Sequence, residues 1–502
     1  MILAKPPGMH LEATMNRKSL IPFAILALTA CGEADVDVFG PGSDPAPSAP
    51  NTERYESPPI NPFMDASEDH LVTFAADVDT ASYTLMRSSL ARGTLPPPAS
   101  VRVEEYLNFF DYRDAPPADD QTPFAVHLEA APSHFGPGLH LLRVGIKGYE
   151  VLAAERPAAN LVFLVDVSGS MNDANKLPLV RYALRRLTET LRPDDTIGMV
   201  VYAGSVGTVL APTPVRERDT ILAAIDQLRA GGSTNGEGGI RAAYALAEAA
   251  ARPGSVNRVI LCSDGDFNVG ATGETLLGLI EQYRERDVTL SVFGFGRGNY
   301  NDRDMEQLAD RGNGNYAYID REAEAERVLV RRVTGTLLTI AKDVKIQVDL
   351  NPDLVARYRL IGYENRDIAD DDFRDDAVDA GEIGAGHTVT ALIEAELVDG
   401  FAESDAPLAT ATLRWKDPAA SDRVGELSVD LRGRDVGGDF VEASKALRFG
   451  AAVAEFAEIL RESPHSEGRR LAEVQAIAER AAWEGDADQA ELIRLVGLAA
   501  GM

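Results

Sequence analysis

Five side chains in three separated stretches have the types and spacing to bind a hard cation: Asp166, Ser168 and Ser170 in DVSGSMN, Thr234 in GGSTNGEGG, and Asp264 in LCSDGDFN. All five offer oxygen, the donor that Mg²⁺ and Ca²⁺ take. The first stretch follows a continuous apolar run at 161–165, which reads as a buried parallel strand leading straight into a ligand-rich loop. Val259, Ile260, Leu261 and Cys262 form a second such strand, with Asp264 and Gly265 in its turn. Two carboxylates then project from the carboxyl ends of strands in one sheet, the edge at which open α/β sheets place their ligands.

The combination Asp-x-Ser-x-Ser, then Thr, then Asp-Gly resembles the metal-ion-dependent adhesion site (MIDAS) of von Willebrand factor type A (VWA) domains, and all five positions match. The resemblance implies a Mg²⁺, or in some members Ca²⁺ or Mn²⁺, held by Ser168, Ser170 and Thr234, with Asp166 and Asp264 binding directly or through water. Two carboxylates balance the dication while three neutral hydroxyls add no charge, so the ion stays electrophilic. In this family the last position is typically taken by a carboxylate from a protein partner. The loops at 204–207, 235–239 and 267–270 then set specificity.

The elements that must position these groups alternate as strand and helix over 158–338. Strands are predicted at 161–166, 196–202, 258–263, 289–293 and 315–319. Between them Leu177, Val180, Leu184, Leu187 and Leu191 line one helix face, Ile221, Ile225 and Leu228 line another, and 236–251 is Ala-rich. This is the order of a doubly wound, mostly parallel sheet. On either side the pattern changes to the alternation of half-buried antiparallel strands, at 124–129 and 140–147 before the α/β domain and at 344–350, 358–363, 387–396, 409–416 and 425–431 after it. We therefore expect one β-sandwich built from 123–157 and 339–434, with the α/β domain inserted between two of its strands.

Residues 62–122 read as an N-terminal helical flank. A strand at 71–76 precedes a helix capped by Asp79 or Thr80 and carrying Tyr83, Met86 and Leu90; Val103, Tyr106, Leu107 and Phe110 give a second apolar stripe suited to docking. Residues 435–502 read as a small helical bundle. The segments VDTASY and VRVEEYLNFF before the α/β domain, with RLIGYENR and DAGEIGAGHTVTAL after it, resemble a bacterial family of VWA lipoproteins. That resemblance covers nearly all of the chain beyond Phe63.

At 502 residues the chain is long enough for about two to four domains. Its net charge of −30 excludes a nucleic-acid-binding role that depends on clustered Lys and Arg. The cysteines are Cys262, placed in an apolar strand as a buried thiol, and Cys31. Asn16, Arg17 and Lys18 followed by the short apolar stretch 19–30 make 1–31 a secretory signal, with Met15 as the expected true start. Leu28-Thr29-Ala30-Cys31 resembles the bacterial lipobox, which implies cleavage before Cys31 and its lipidation. Residues 32–61, rich in Pro, Gly, Ser, Ala and Asp, read as a disordered tether. The expected location is the bacterial cell envelope, lipid-anchored on the extracytoplasmic side.

Catalysis finds less support. A GxSxG elbow, a Walker lysine loop and HExxH are all absent, so the chain is not expected to be an enzyme. His127, His134 and His140 read as ordinary half-buried or surface histidines rather than zinc ligands. Asp264, Asp266 and Asn268 start like a calcium loop, but Gly270 falls one place late and Thr275 replaces the terminal Glu. The run Asp370, Asp371 and Asp372 with Asp375, Asp376 and Asp379 reads as a hydrated acidic loop rather than a Ca²⁺ site. The expected function is capture of an acidic protein partner through the cation. The alternatives are an envelope scaffold or regulator in which the metal mainly stabilises, and, more remotely, a metal-dependent hydrolase.

Overall fold

The structure is a computed structural model that describes Tyr55 and residues 59–502 except 77, 119–121, 233–235, 266–272 and 298–300. Cys31, the signal segment and nearly all of the tether lie outside the described residues, as does Thr234.

The apolar runs form a six-stranded sheet in the order Tyr316–Ile319, Val288–Phe295, Val256–Ser263, Ala159–Asp166, Thr196–Tyr202, Val206–Pro214. All pairs are parallel except the last, which is antiparallel. Helix Leu177–Thr190 buries Leu177, Val180, Leu184 and Leu187 against one face of the sheet. Helix Gly236–Ala250 buries Ile240, Ala243, Tyr244 and Ala247 against the other. Helices on both faces explain why the central strands are apolar at successive positions rather than alternating. The edge strand Val206–Pro214 was not expected, because prolines at 212 and 214 and an exposed face break its pattern.

The flanking strands form two antiparallel sheets around one core. One has the order Met64–Asp65, Val355–Ile361, Thr388–Leu397, His140–Gly148, Phe124–Pro132; the other runs Gly381–Gly384, Thr339–Leu350, Pro407–Asp417, Ala420–Arg432. The chain leaves the sandwich after His140–Gly148 and re-enters it at Thr339–Leu350. The N-terminal flank is not purely helical, because Leu71–Ala75 pairs with Thr339–Leu350 and Met64–Asp65 pairs with Val355–Ile361.

The flank helices and the C-terminal helices share one core rather than forming separate units. Tyr83, Tyr106, Phe109 and Phe110 pack with Phe449, Phe456, Leu492 and Val496 of helices Lys445–Leu460 and Ala487–Ala500. The second flank helix is only Val103–Leu107, so Phe110 reaches this core from the turn beyond it. Thr80 is the N-cap residue of helix Ala81–Leu90 but makes no side-chain capping bond, and Asp79 Oδ1 instead accepts from the backbone N–H of Tyr316 at 2.9 Å. That carboxylate thus links the flank to the edge strand of the α/β sheet.

A buried charge network makes a second link. Arg87 Nε donates to Asp320 Oδ2 at 2.9 Å, its Nη2 to Glu324 Oε2 at 2.8 Å and its Nη1 to Glu491 Oε2 at 3.3 Å. Three parts of the chain meet on one guanidinium whose side chain is 3% exposed. Charges this deep are tolerated only when paired.

Candidate metal centre

Asp166 ends strand Ala159–Asp166, and its side chain is fully buried. Its Oδ1 accepts from the backbone N–H of Ser168 at 2.8 Å, which turns the chain sharply out of the sheet. Ser168 Oγ and Ser170 Oγ then lie 2.9 Å apart at the start of the tight turn Gly169–Asn172, anchored by buried Met171. Ser168 is buried while Ser170 faces solvent, so this pair spans from the interior to an open surface.

The other loops converge on the same point. Gly169 N–H donates to the Gly232 carbonyl at 3.0 Å and Gly231 N–H to the Val167 carbonyl at 2.7 Å. This pins the chain to the Asp166 loop two residues before Thr234, and Gly232 sits there at φ +94° with a Cβ position only 3.2 Å from Gly204 N. Asp264 follows strand Val256–Ser263, the parallel neighbour of Ala159–Asp166, and is also fully buried. Ser263 Oγ approaches Asp166 Oδ2 at 3.4 Å and accepts from Gly265 N–H at 3.2 Å. Of the five sequence-selected residues, the structure therefore brings Asp166, Ser168, Ser170 and Asp264 to one sheet edge; Thr234 is outside its description.

Burial pushes the Asp166 carboxyl up to about 6, with the charge of Asp264 adding to the rise against hydrogen bonds from Ser168. The Tyr202 phenol beneath it is held well above its ordinary range by burial and by Asp166. Two buried carboxylates on neighbouring strands thus carry more negative charge than the single ammonium beside them, that of Lys176, offsets, and the added donors are hydroxyls. This donor set fits a hard divalent cation better than a soft one. Such an ion would be held by the Asp166, Ser168, Ser170 and Asp264 oxygens, with Thr234 completing the sequence pattern, and would supply Lewis acidity toward an incoming carboxylate.

Sequence reasoning missed Lys176. It precedes helix Leu177–Thr190, and its Nζ donates to Asp264 Oδ2 at 2.9 Å from a buried position. The lysine stem crosses Gly296, where a Cβ would fall 2.3 Å from Lys176 Cγ. Nothing in the local spacing marks this contact, because a turn of chain separates Lys176 from the DxSxS loop. A lysine beside an apolar helix start was the only available signal.

The other groups considered from sequence are accounted for locally. His127 Nε2 lies 2.9 Å from the Ala115 carbonyl, and the His134 and His140 rings pack against Phe440 and Phe401. In the acidic loop Asp376 accepts from Arg414 and Asp379 from Arg284. Cys262 is a buried free thiol. Among the described residues no three His, Cys, Asp or Glu side chains converge on a metal position. None of the described helices is long and apolar enough to cross a membrane.

Family models match three parts of the chain: "von Willebrand factor" over residues 49–143, "von Willebrand factor type A domain" over 160–331, and "Uncharacterized protein YfbK, C-terminal" over 335–502. Uncharacterized protein YfbK of Escherichia coli (strain K12) is 40% identical over 477 residues, spanning 90% of this chain and 82% of that protein. An uncharacterized Synechocystis protein is 29% identical over 187 residues, covering 36% of this chain and 43% of its own. A solved von Willebrand factor type A structure from Catenulispora acidiphila aligns with a TM-score of 0.44 and 15% identity, covering 75% of this chain and 91% of that one.

Proposed function

Because the chain belongs to the family of von Willebrand factor type A domain proteins that includes YfbK of Escherichia coli, we propose that it is a binding protein rather than an enzyme, and that it captures a protein partner through a divalent cation. The ion is Mg²⁺, with Ca²⁺ or Mn²⁺ as possible substitutes, held by Asp166, Ser168, Ser170, Thr234 and Asp264. A partner Asp or Glu completes its coordination. The observation that carries this reading is the pair of buried carboxylates on adjacent strands beside a hydroxyl ladder that reaches solvent at Ser170. An ion there would be held by protein donors from the inner side and would be reachable from solvent past Ser170.

The setting proposed with it is the extracytoplasmic face of a bacterial membrane, reached through lipid on Cys31 and a flexible tether. Several acyl chains give stable attachment, at roughly 0.8 kcal/mol per buried CH₂. Crosslinking in intact cells tests the partner claim. Asp166→Ala or added EDTA should remove crosslinked partners while leaving the β-sandwich folded, and partners retained in EDTA contradict it.

One observation favours a second reading, that of an envelope scaffold with a mainly structural ion. Asp166 and Asp264 are both fully buried, so an ion between them would offset negative charge that folding has removed from water. On that reading metal loss lowers the melting temperature and spares every partner.

A further inference from the structure

A polar cavity of about 320 Å³ lies where the last helix of the α/β domain, Val333–Leu337, meets the sandwich and the N-terminal flank. Its size falls within the roughly 300–1,000 Å³ of small-ligand clefts. Arg332 and His387 line it, together with Thr334 and Thr388. The Arg332 guanidinium makes one hydrogen bond, from Nη2 to the Phe109 carbonyl at 2.9 Å, and no described carboxylate comes within ion-pair distance of it. A guanidinium carries five N–H donors, so most of its capacity is open to the cavity. His387 Nδ1 is sealed from solvent and has no hydrogen-bond partner.

Arg332 supplies the positive charge on the inner lining, and Arg331 a second at the rim. Burial draws the His387 ring down to about 3, reinforced by Arg332, Lys147, Arg258 and Arg327. Burial and Arg327 also lower Arg332, to about 9. Among the described lining residues the carboxylates Asp111 and Glu150 are exposed; the first accepts from Arg113 N–H at 2.8 Å and the second faces Lys147 Nζ at 3.4 Å. Arg331, at the rim, faces Asp488 at 3.6 Å.

We propose that this cavity is a binding site for a small oxyanion, a phosphate- or carboxylate-bearing molecule gripped by Arg332 and oriented by His387 and the Thr334 and Thr388 hydroxyls. An unpaired, partly desolvated guanidinium gains strongly from a planar or tetrahedral oxyanion. The neutral imidazole can donate to the anion only from Nε2, because Nδ1 is sealed away from the cavity. Bound there, the anion touches the α/β domain and the sandwich together and fastens the junction between them.

Calorimetric titration of the full chain with inorganic phosphate and with succinate tests this and separates the two ligand chemistries. Saturable binding of at least one is expected, with chloride at equal ionic strength giving none. Arg332→Gln should weaken the better ligand at least tenfold and His387→Gln severalfold, while Arg331→Gln stays within twofold. If Arg332→Gln does not fold, the comparison of His387→Gln with Arg331→Gln decides. No saturable heat from either anion, or equal losses in the cavity and rim variants, overturns the proposal.

Discussion

Lys176 Nζ lies 2.9 Å from Asp264 Oδ2, with side chains 5% and 0% exposed. An ammonium so placed compensates one of two buried carboxylates and leaves the pair with one net negative charge. It holds the carboxylate ready and competes for one of its oxygens. Lys176→Met should therefore destabilise the metal-free protein by about 3 kcal/mol, the cost of stranding a buried charge. Added Mg²⁺ should then raise the melting temperature more than in the wild type. Thermal unfolding in EDTA and in saturating Mg²⁺ measures both.

Gly296 gives that lysine its path. At φ +73° it lies in the left-handed region, and a side chain there collides with the Lys176 stem. Gly296→Ala should cost about 1–3 kcal/mol from overpacking and backbone strain together. In a Lys176→Ala background the steric part disappears, so a double-mutant cycle in denaturant should show a coupling of about 1 kcal/mol.

Arg87 joins the flank helix to Asp320 and Glu324 of the α/β domain and to Glu491 of the C-terminal helix. Arg87→Met leaves Asp320 buried without its main partner, while Arg327 still holds Glu324. A loss of about 3–5 kcal/mol is expected. Urea unfolding followed by limited proteolysis should show the junction of the three parts opening first.

The strands and helices of the α/β domain were readable because a sheet covered on both faces produces uninterrupted apolar runs, as at 161–165, and its helices carry clear stripes such as Leu177, Val180 and Leu184. The flanks were readable as alternating strands. Elements without either pattern were missed: Gly381–Gly384 has two glycines in four residues, and Val206–Pro214 is an edge strand. All five candidate site residues were legible as a motif, and the structure places the four it describes, Asp166, Ser168, Ser170 and Asp264, at one sheet edge. Lys176 was not, nor was the burial of Arg87, since its partners are 233 to 404 residues away and charged residues normally read as exposed.

Glu382 sets a pH dependence away from the metal centre. Burial, then the charges of Asp343 and Asp379, push its carboxyl from 4.5 up to about 8. The folded protein keeps a proton there that the unfolded chain releases, so stability falls as pH rises from 4.5 through about 8 and the penalty is full above that window. Glu382→Gln should gain on the order of 2 kcal/mol at alkaline pH and little below 4.5, where both states are protonated. Urea midpoints across this range, for both proteins, check the sign.

The central claim is that Asp166 and Asp264 hold a divalent cation with Ser168, Ser170 and Thr234. Calorimetric titration of metal-free protein with Mg²⁺ tests it most directly. One saturable site is expected in the wild type, weakened at least tenfold in Asp166→Ala. Absence of saturable binding in the wild type, or equal affinity in the variant, contradicts the account.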